Sequence, residues 1–188
     1  CGYDHYMLKE IMEEPVVLEK TFEPYLDNLE KLPDLTKYEE IHIVACGSAM
    51  YAGMIGKTLL EEYANTKVEI DVASEYRYKN IIYDRKTLVI LILQSGETAD
   101  TIAAMRKAKE HKVDTLAIVN VKTSTIARDS DAQIFIEAGP EIAVATTKAY
   151  ILQVGIMALL AYKTALTKDL VKEEHKVLEE AKKLPRMI

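Results

Sequence analysis

KTLVILILQSGETADT, residues 86–101, is the stretch that decides the fold. Its first half, TLVILIL (87–93), is apolar at successive positions, so a strand formed there must be buried on both faces. Such a strand belongs in the middle of a parallel sheet with helices on each side. Its second half, Gln94-Ser95-Gly96-Glu97-Thr98, is a small hydroxyl-bearing turn. Ile102, Met105 and Ala108 then recur at helical spacing.

Working outward, four more short runs read as strands: IHIVAC (41–46), VEIDVA (68–73), DTLAIVN (114–120) and AQIFIE (132–137). They are rich in Val, Ile and Leu and are bounded by Gly, Ser, Asp or Asn. After the first of them, Tyr51, Ile55, Leu59 and Tyr63 recur every fourth residue, which predicts a helix. Strands alternating with helices require right-handed crossovers. The expected fold is α/β: a doubly wound, five-stranded parallel sheet in the flavodoxin-like order 2-1-3-4-5.

Residues 1–40 read as a helical lead-in. HYMLKEIMEE (5–14) runs up to Pro15, which can open a second helix because its missing N–H is not needed there. Pro24 and Pro33 are expected to punctuate the rest of the lead-in. At the other end, TTKAYILQVGIMALLAYKTAL (146–166) predicts a long apolar helix. LVKEEHKVLEEAKKL (170–184) predicts a charged amphipathic one whose Glu/Lys run, 172–183, is a solvated face. The expected organisation is a lead-in (1–40), a ligand-binding domain (41–168) and a C-terminal helix (169–188).

The 188 residues suffice for about one domain with an ordinary core. With 24 Lys+Arg against 30 Asp+Glu, the net charge is -6. That balance argues against nucleic acid and against an anionic membrane surface, both of which call for clustered positive charge. Ile151–Tyr162, the longest near-continuous apolar run, is shorter than the ~20 residues of a membrane span. Two cysteines, Cys1 and Cys46, make no disulfide framework, so a cytoplasmic setting is expected. The histidines (His5, His42, His111, His175) show no metal-ligand spacing, and neither metal nor cofactor is expected.

Open parallel sheets bind ligands at the carboxyl ends of their strands, where strand order reverses. In order 2-1-3-4-5 that crevice lies between the loops Cys46-Gly47-Ser48-Ala49 and Gln94-Ser95-Gly96-Glu97-Thr98. Each loop leads into a helix whose free N–H groups suit an anion. Ser48, Ser95 and Thr98 also look like helix caps, and the spacing leaves both roles open. Gly56-Lys57-Thr58 resembles the end of a P-loop, but the motif needs Gly at 51, where Tyr51 stands. The first loop is not a dinucleotide fingerprint either, because Ala49 takes the second Gly position. Cys46 and His42 read as packing residues, and Glu141 and Lys148 as residues that could reach the crevice but are commonly surface groups.

Five segments together carry a resemblance. HYMLKEI (5–11), ACGSAMYAG (45–53), ASEYRY (73–78), QSGETADT (94–101) and AGPEIAVATTKAY (138–150) resemble, in order, the isomerase half of the glutamine–fructose-6-phosphate aminotransferases. The chain is similar to the first of that family's two sugar isomerase (SIS) domains. The resemblance implies that a phosphorylated sugar, fructose 6-phosphate or glucosamine 6-phosphate, meets Ser48, Gln94, Ser95 and Thr98, with Gly47 lending backbone N–H. It implies that the segment from Val144 to Thr146 lines the sugar chain. It further implies a glutaminase domain and a second SIS domain as partners, with no catalytic residue in this chain. Cys1-Gly2 matches the family's glutaminase start, but HYMLKEI follows too soon, so Cys1 reads as a chain boundary.

Two positions depart from the family pattern: Ala49 stands where a Ser is common after Cys-Gly-Thr, and Leu93 where a Ser precedes Gln-Ser-Gly. Two other readings stay open: a stand-alone phosphosugar isomerase or deglycase, and a phosphosugar-sensing regulatory module. A homodimer is expected, using the apolar helix around Ile151–Leu160 for part of its contact. Ser124→Ala is expected to be silent for binding.

Overall fold

The computed structural model describes residues 2–172 and 174–188, so Cys1 lies outside the described residues. In chain order the elements are α1 (Tyr6–Met12), α2 (Glu14–Leu26), β1 (Glu40–Ala45), α3 (Ser48–Ala64), β2 (Lys67–Val72), α4 (Ala73–Tyr76), β3 (Thr87–Ile92), α5 (Ala99–Glu110), β4 (Asp114–Val119), α6 (Thr125–Asp129), β5 (Ala132–Phe135), α7 (Lys148–Thr167) and α8 (Glu174–Lys183). The five strands form one all-parallel sheet in the order β2-β1-β3-β4-β5, as the sequence predicts.

Every residue of β3 is buried, so the run TLVILI occupies the centre of the sheet. Its side chains alternate between two cores. Leu88, Ile90 and Ile92 face the layer built by α2, α3 and α7, while Val89 and Leu91 face α4, α5 and α6. In parallel register, Ala45 of β1 pairs with Ile92 of β3. The loops after these two residues therefore leave the sheet at the same level. Since α3 covers one face and α5 the other, the loops diverge and open a crevice between them.

Three local features refine the sequence reading. Pro24 lies inside the last turn of α2, and the helix continues to Leu26. Its missing N–H falls on the exposed side of the helix, where the orphaned carbonyl can meet water. The fourfold spacing in α3 does mark a helix, but on its outward side. Tyr51, Ile55 and Tyr63 are exposed, while Ala49, Ala52, Gly53, Gly56 and Leu60 face inward. Small residues are selected there by close packing: a Cβ on Gly56 would meet Met157 of α7 at 2.4–2.9 Å. The P-loop-like Gly56 thus serves a helix–helix contact.

The third feature is α7, which is longer than the apolar run Ile151–Tyr162 suggests. At 20 residues it is long and apolar enough to cross a membrane. Leu152, Gln153, Ile156, Met157, Leu159 and Leu160 are nevertheless buried inside this chain, against α2 and α3. The helix covers the sheet, and Ile151, Val154 and Ala158 on its outer side are half-buried. The amphipathic C-terminal helix is seen at Glu174–Lys183.

Candidate functional site

The crevice at the carboxyl ends of β1 and β3 holds a cavity of about 370 Å³. All seven expected residues line it: Gly47, Ser48, Gln94, Ser95, Thr98, Val144 and Thr146. Cys46, Ala49, Leu93, Thr101, Glu141, Ala143 and Gln153 complete the wall.

Two helices begin at this cavity, and neither start is closed by a side chain. Gly47 is the N-cap of α3, with φ +59° and ψ -137°, a conformation that an L side chain rarely adopts. Ser48, the next residue, is the first of the helix itself, so its hydroxyl is not a cap. Thr98 is the N-cap of α5 and makes no side-chain capping bond. The choice between cap and ligand left open at Ser48 and Thr98 is therefore decided against capping in this structure. Ser95 accepts a 3.3 Å hydrogen bond from the Glu97 N–H, which shapes the turn. The partial positive ends of α3 and α5 converge on the same space.

The second loop is held from outside. The Glu97 carboxylate accepts a 2.6 Å bond from the Thr125 N–H at the start of α6, and that bond holds its pKa below the usual carboxylate range. The Gly96 carbonyl accepts from the Ile126 N–H at 3.3 Å, and the Gln94 carbonyl from the Asn120 N–H at 3.1 Å. Gly96 has φ +71°, and a Cβ there would meet Ser124 Oγ at 2.1 Å. Ser124 itself caps α6 through the Ala127 N–H. It is therefore built into the same turn, although it does not line the cavity.

The opposite wall is the loop from Ala138 to Thr147. Asn120 ties it to the end of β4, donating to the Gly139 carbonyl and accepting from the Ala138 N–H. Glu141 is the one charged side chain on the cavity wall among the described residues. Both of its oxygens are engaged: Oε1 accepts from the Thr147 and Ala149 N–H groups, and Oε2 from the Thr146 hydroxyl. It sets a carboxylate against the start of α7, where a second anion would meet like charge. Val144 is fully exposed at the rim.

Lys148 departs from expectation. It is buried rather than superficial, donating to Glu13 Oε2 at 2.7 Å and to the Pro140 carbonyl at 2.9 Å, and it does not line the cavity. His42 and Cys46 conform to their packing roles. His42 is buried in β1 with Nδ1 3.2 Å from the Tyr76 hydroxyl, and Cys46 is half-buried beside the core around α5. Sequence reasoning missed Thr101 and Gln153. Thr101 is 1% exposed, and its hydroxyl has no hydrogen-bond partner among the described residues. Gln153 offered a signal, a lone amide inside the apolar run ILQVGIM.

Such a site can hold an anionic ester by hydroxyls and helix amides, without a cationic side chain. The described residues contain no cluster of three or more His, Cys, Asp or Glu able to hold a metal. A second cavity, of about 290 Å³, lies between α2 and the C-terminal segment, lined by Leu18, Phe22, Glu23 and Pro185 among others.

Residues 34–163 match the sequence model of the SIS domain. The chain belongs to the SIS domain family. Curated relatives agree. The chain is 47% identical over 190 residues to a glutamine–fructose-6-phosphate aminotransferase (isomerizing) of Clostridium tetani, covering 96% of this chain and 31% of that protein. It is 43% identical over 198 residues to the Thermus thermophilus protein of the same name, covering 100% of this chain and 32% of that protein. This SIS chain thus spans about a third of the length of the relatives it matches. Among solved structures, the C-terminal domain of glucosamine-fructose-6-phosphate aminotransferase from Francisella tularensis superposes with a TM-score of 0.90 at 36% identity, over 98% of this chain and 55% of that one.

Proposed function

We propose that this chain is the phosphosugar-binding SIS domain of a glutamine–fructose-6-phosphate aminotransferase, and that its cavity anchors fructose 6-phosphate. One observation carries the reading: the uncapped starts of α3 and α5 converge on a cavity ringed by Ser48, Ser95 and Thr98. The phosphate lies against those hydroxyls and amides, with Gly47 and Gln94 beside it. The sugar chain runs along Val144 and Thr146.

In the reaction this reading assigns to the whole protein, ammonia from glutamine adds to C2 of open-chain fructose 6-phosphate and water leaves, giving an imine. A base then takes a proton from C1 while C2 receives one, and the aldose glucosamine 6-phosphate results. That shift needs a positioned base, not a redox cofactor. This domain supplies none. Its contribution is to fix the phosphate and so place C1 and C2. A glutaminase domain and a second SIS domain supply ammonia and the proton-transfer groups. The assembly is a homodimer, and it works in the cytoplasm.

The test is titration of the chain with fructose 6-phosphate, monitored by calorimetry or amide chemical shifts. Binding in the micromolar to millimolar range is expected. Replacing Ser95 and Thr98 by Ala removes two neutral donors and should weaken it by at least ~10-fold. Undiminished binding by the double variant would sink the site assignment.

A further inference from the structure

α1 is attached to the molecule in an unusual way. Its apolar side chains, Tyr6, Met7, Leu8, Ile11 and Met12, are exposed, and its one buried residue is a carboxylate, Glu10, 1% exposed. Glu10 Oε1 accepts from the Ile142 N–H at 2.6 Å and from the Ala143 N–H at 3.2 Å. Those two amides belong to the loop whose next residues, Val144 and Thr146, line the cavity. A carboxylate buried at this depth costs free energy unless its hydrogen bonds are strong, so the helix is held by what Glu10 does to that loop.

We infer that Glu10 is a positioning residue for the sugar-facing wall of the cavity. The inference rests on the phosphosugar reading of the site. The anion belongs at the starts of α3 and α5, which no side chain caps, because the Glu141 carboxylate already lies against the start of α7. The remainder of a bound ester must then pass along Ala143–Thr146. Consecutive amides gripped by one oxygen fix the path of that backbone. Glu10 itself touches no ligand, since it does not line the cavity. Its second oxygen, Oε2, is buried with no partner among the described residues, so Oε1 alone does the gripping.

The experiment titrates the 188-residue chain and its Glu10→Ala, Glu10→Asp and Glu10→Gln variants with fructose 6-phosphate and, separately, with inorganic phosphate. Alanine deletes the acceptor. Aspartate keeps the charge but withdraws it by one methylene, and is the variant that folds if alanine does not. Glutamine keeps one acceptor oxygen in place. Fructose 6-phosphate affinity should fall ~10-fold in the Ala and Asp variants and stay within ~3-fold in the Gln variant. Phosphate affinity should be the same in all four. Unchanged sugar-phosphate binding in the Ala and Asp variants overturns the inference. So does an equal loss for both ligands, which would mark Glu10 as a general structural support. A parent chain that binds neither ligand removes the phosphosugar reading itself, a result that is distinct from either.

Discussion

The Lys148 ammonium lies 2.7 Å from Glu13 Oε2, at the tip of a side chain that is 2% exposed. Glu13 is more open, and the hydrogen bond from Lys148, followed by that from Lys9, holds its pKa below the usual carboxylate range. The pair joins the α1–α2 junction to the first residue of α7. Removing the two partners should not cost the same. Glu13→Ala strands a buried ammonium with only the Pro140 carbonyl, and should cost about 2–3 kcal/mol. Lys148→Met removes the buried charge with little loss of volume, and should cost about 1 kcal/mol. Urea unfolding of both variants decides it; the reverse order would show that the ion pair is not what holds the junction.

Gly56 and Met157 set the spacing of α3 and α7. A Cβ at 56 would meet the Met157 Cβ and Cγ at 2.9 Å as well as its terminal methyl, so a rotamer change cannot make room. Gly56→Ala should destabilise the chain by about 2 kcal/mol. Adding Met157→Ala should recover part of that loss rather than add to it, because the two changes share one contact. Additive losses in thermal unfolding would contradict the packing described.

Ser124 supports the Gln94–Thr98 turn while capping α6. Ser124→Ala should therefore lower stability by about 1 kcal/mol, the typical value of a lost cap. Gly96→Ala is worse on two counts, a left-handed backbone and a Cβ driven into Ser124. It should weaken fructose 6-phosphate binding as well as stability. A Gly96→Ala chain with full affinity would show that the turn can relax without disturbing the cavity.

Burial pushes the His42 pKa below its ordinary 6.5, against the opposing pull of Glu40, Glu69 and Asp71 and with the help of Lys79. The unfolded chain therefore takes up its proton first as pH falls. The stabilising effect is complete above about pH 6.5 and is lost as pH drops toward the lowered folded value. Thermal midpoints should fall as pH drops below about 6.5, and His42→Gln should flatten that part of the profile. An unchanged slope in the variant would assign the effect to other groups.

Much of this was legible in the residues. β3 announced itself because a strand buried on both faces must be apolar at every position, and strand order then located the crevice. Ser48, Ser95 and Thr98 could be named because they come directly after strands. Other features depend on partners far away in sequence. The spacing in α3 could not say which side faced α7, since small residues carry little apolar signal. Lys148 looked like a surface group because its partner, Glu13, is 135 residues away. Thr101 gave no sign of burial, for its position depends on how α5 sits against the sheet.

The lack of a cationic side chain on the cavity wall, among the described residues, has a consequence for ionic strength. Lysine-lined phosphate sites lose affinity as salt screens their long-range attraction. On the phosphosugar reading proposed above, the attraction comes from amide and hydroxyl dipoles that act within a few ångströms, while the chain as a whole carries a charge of -6. Added electrolyte would mute the overall repulsion and leave the short contacts intact. Capture of a dianion by this domain should thus hold steady, or improve slightly, from dilute buffer to brine.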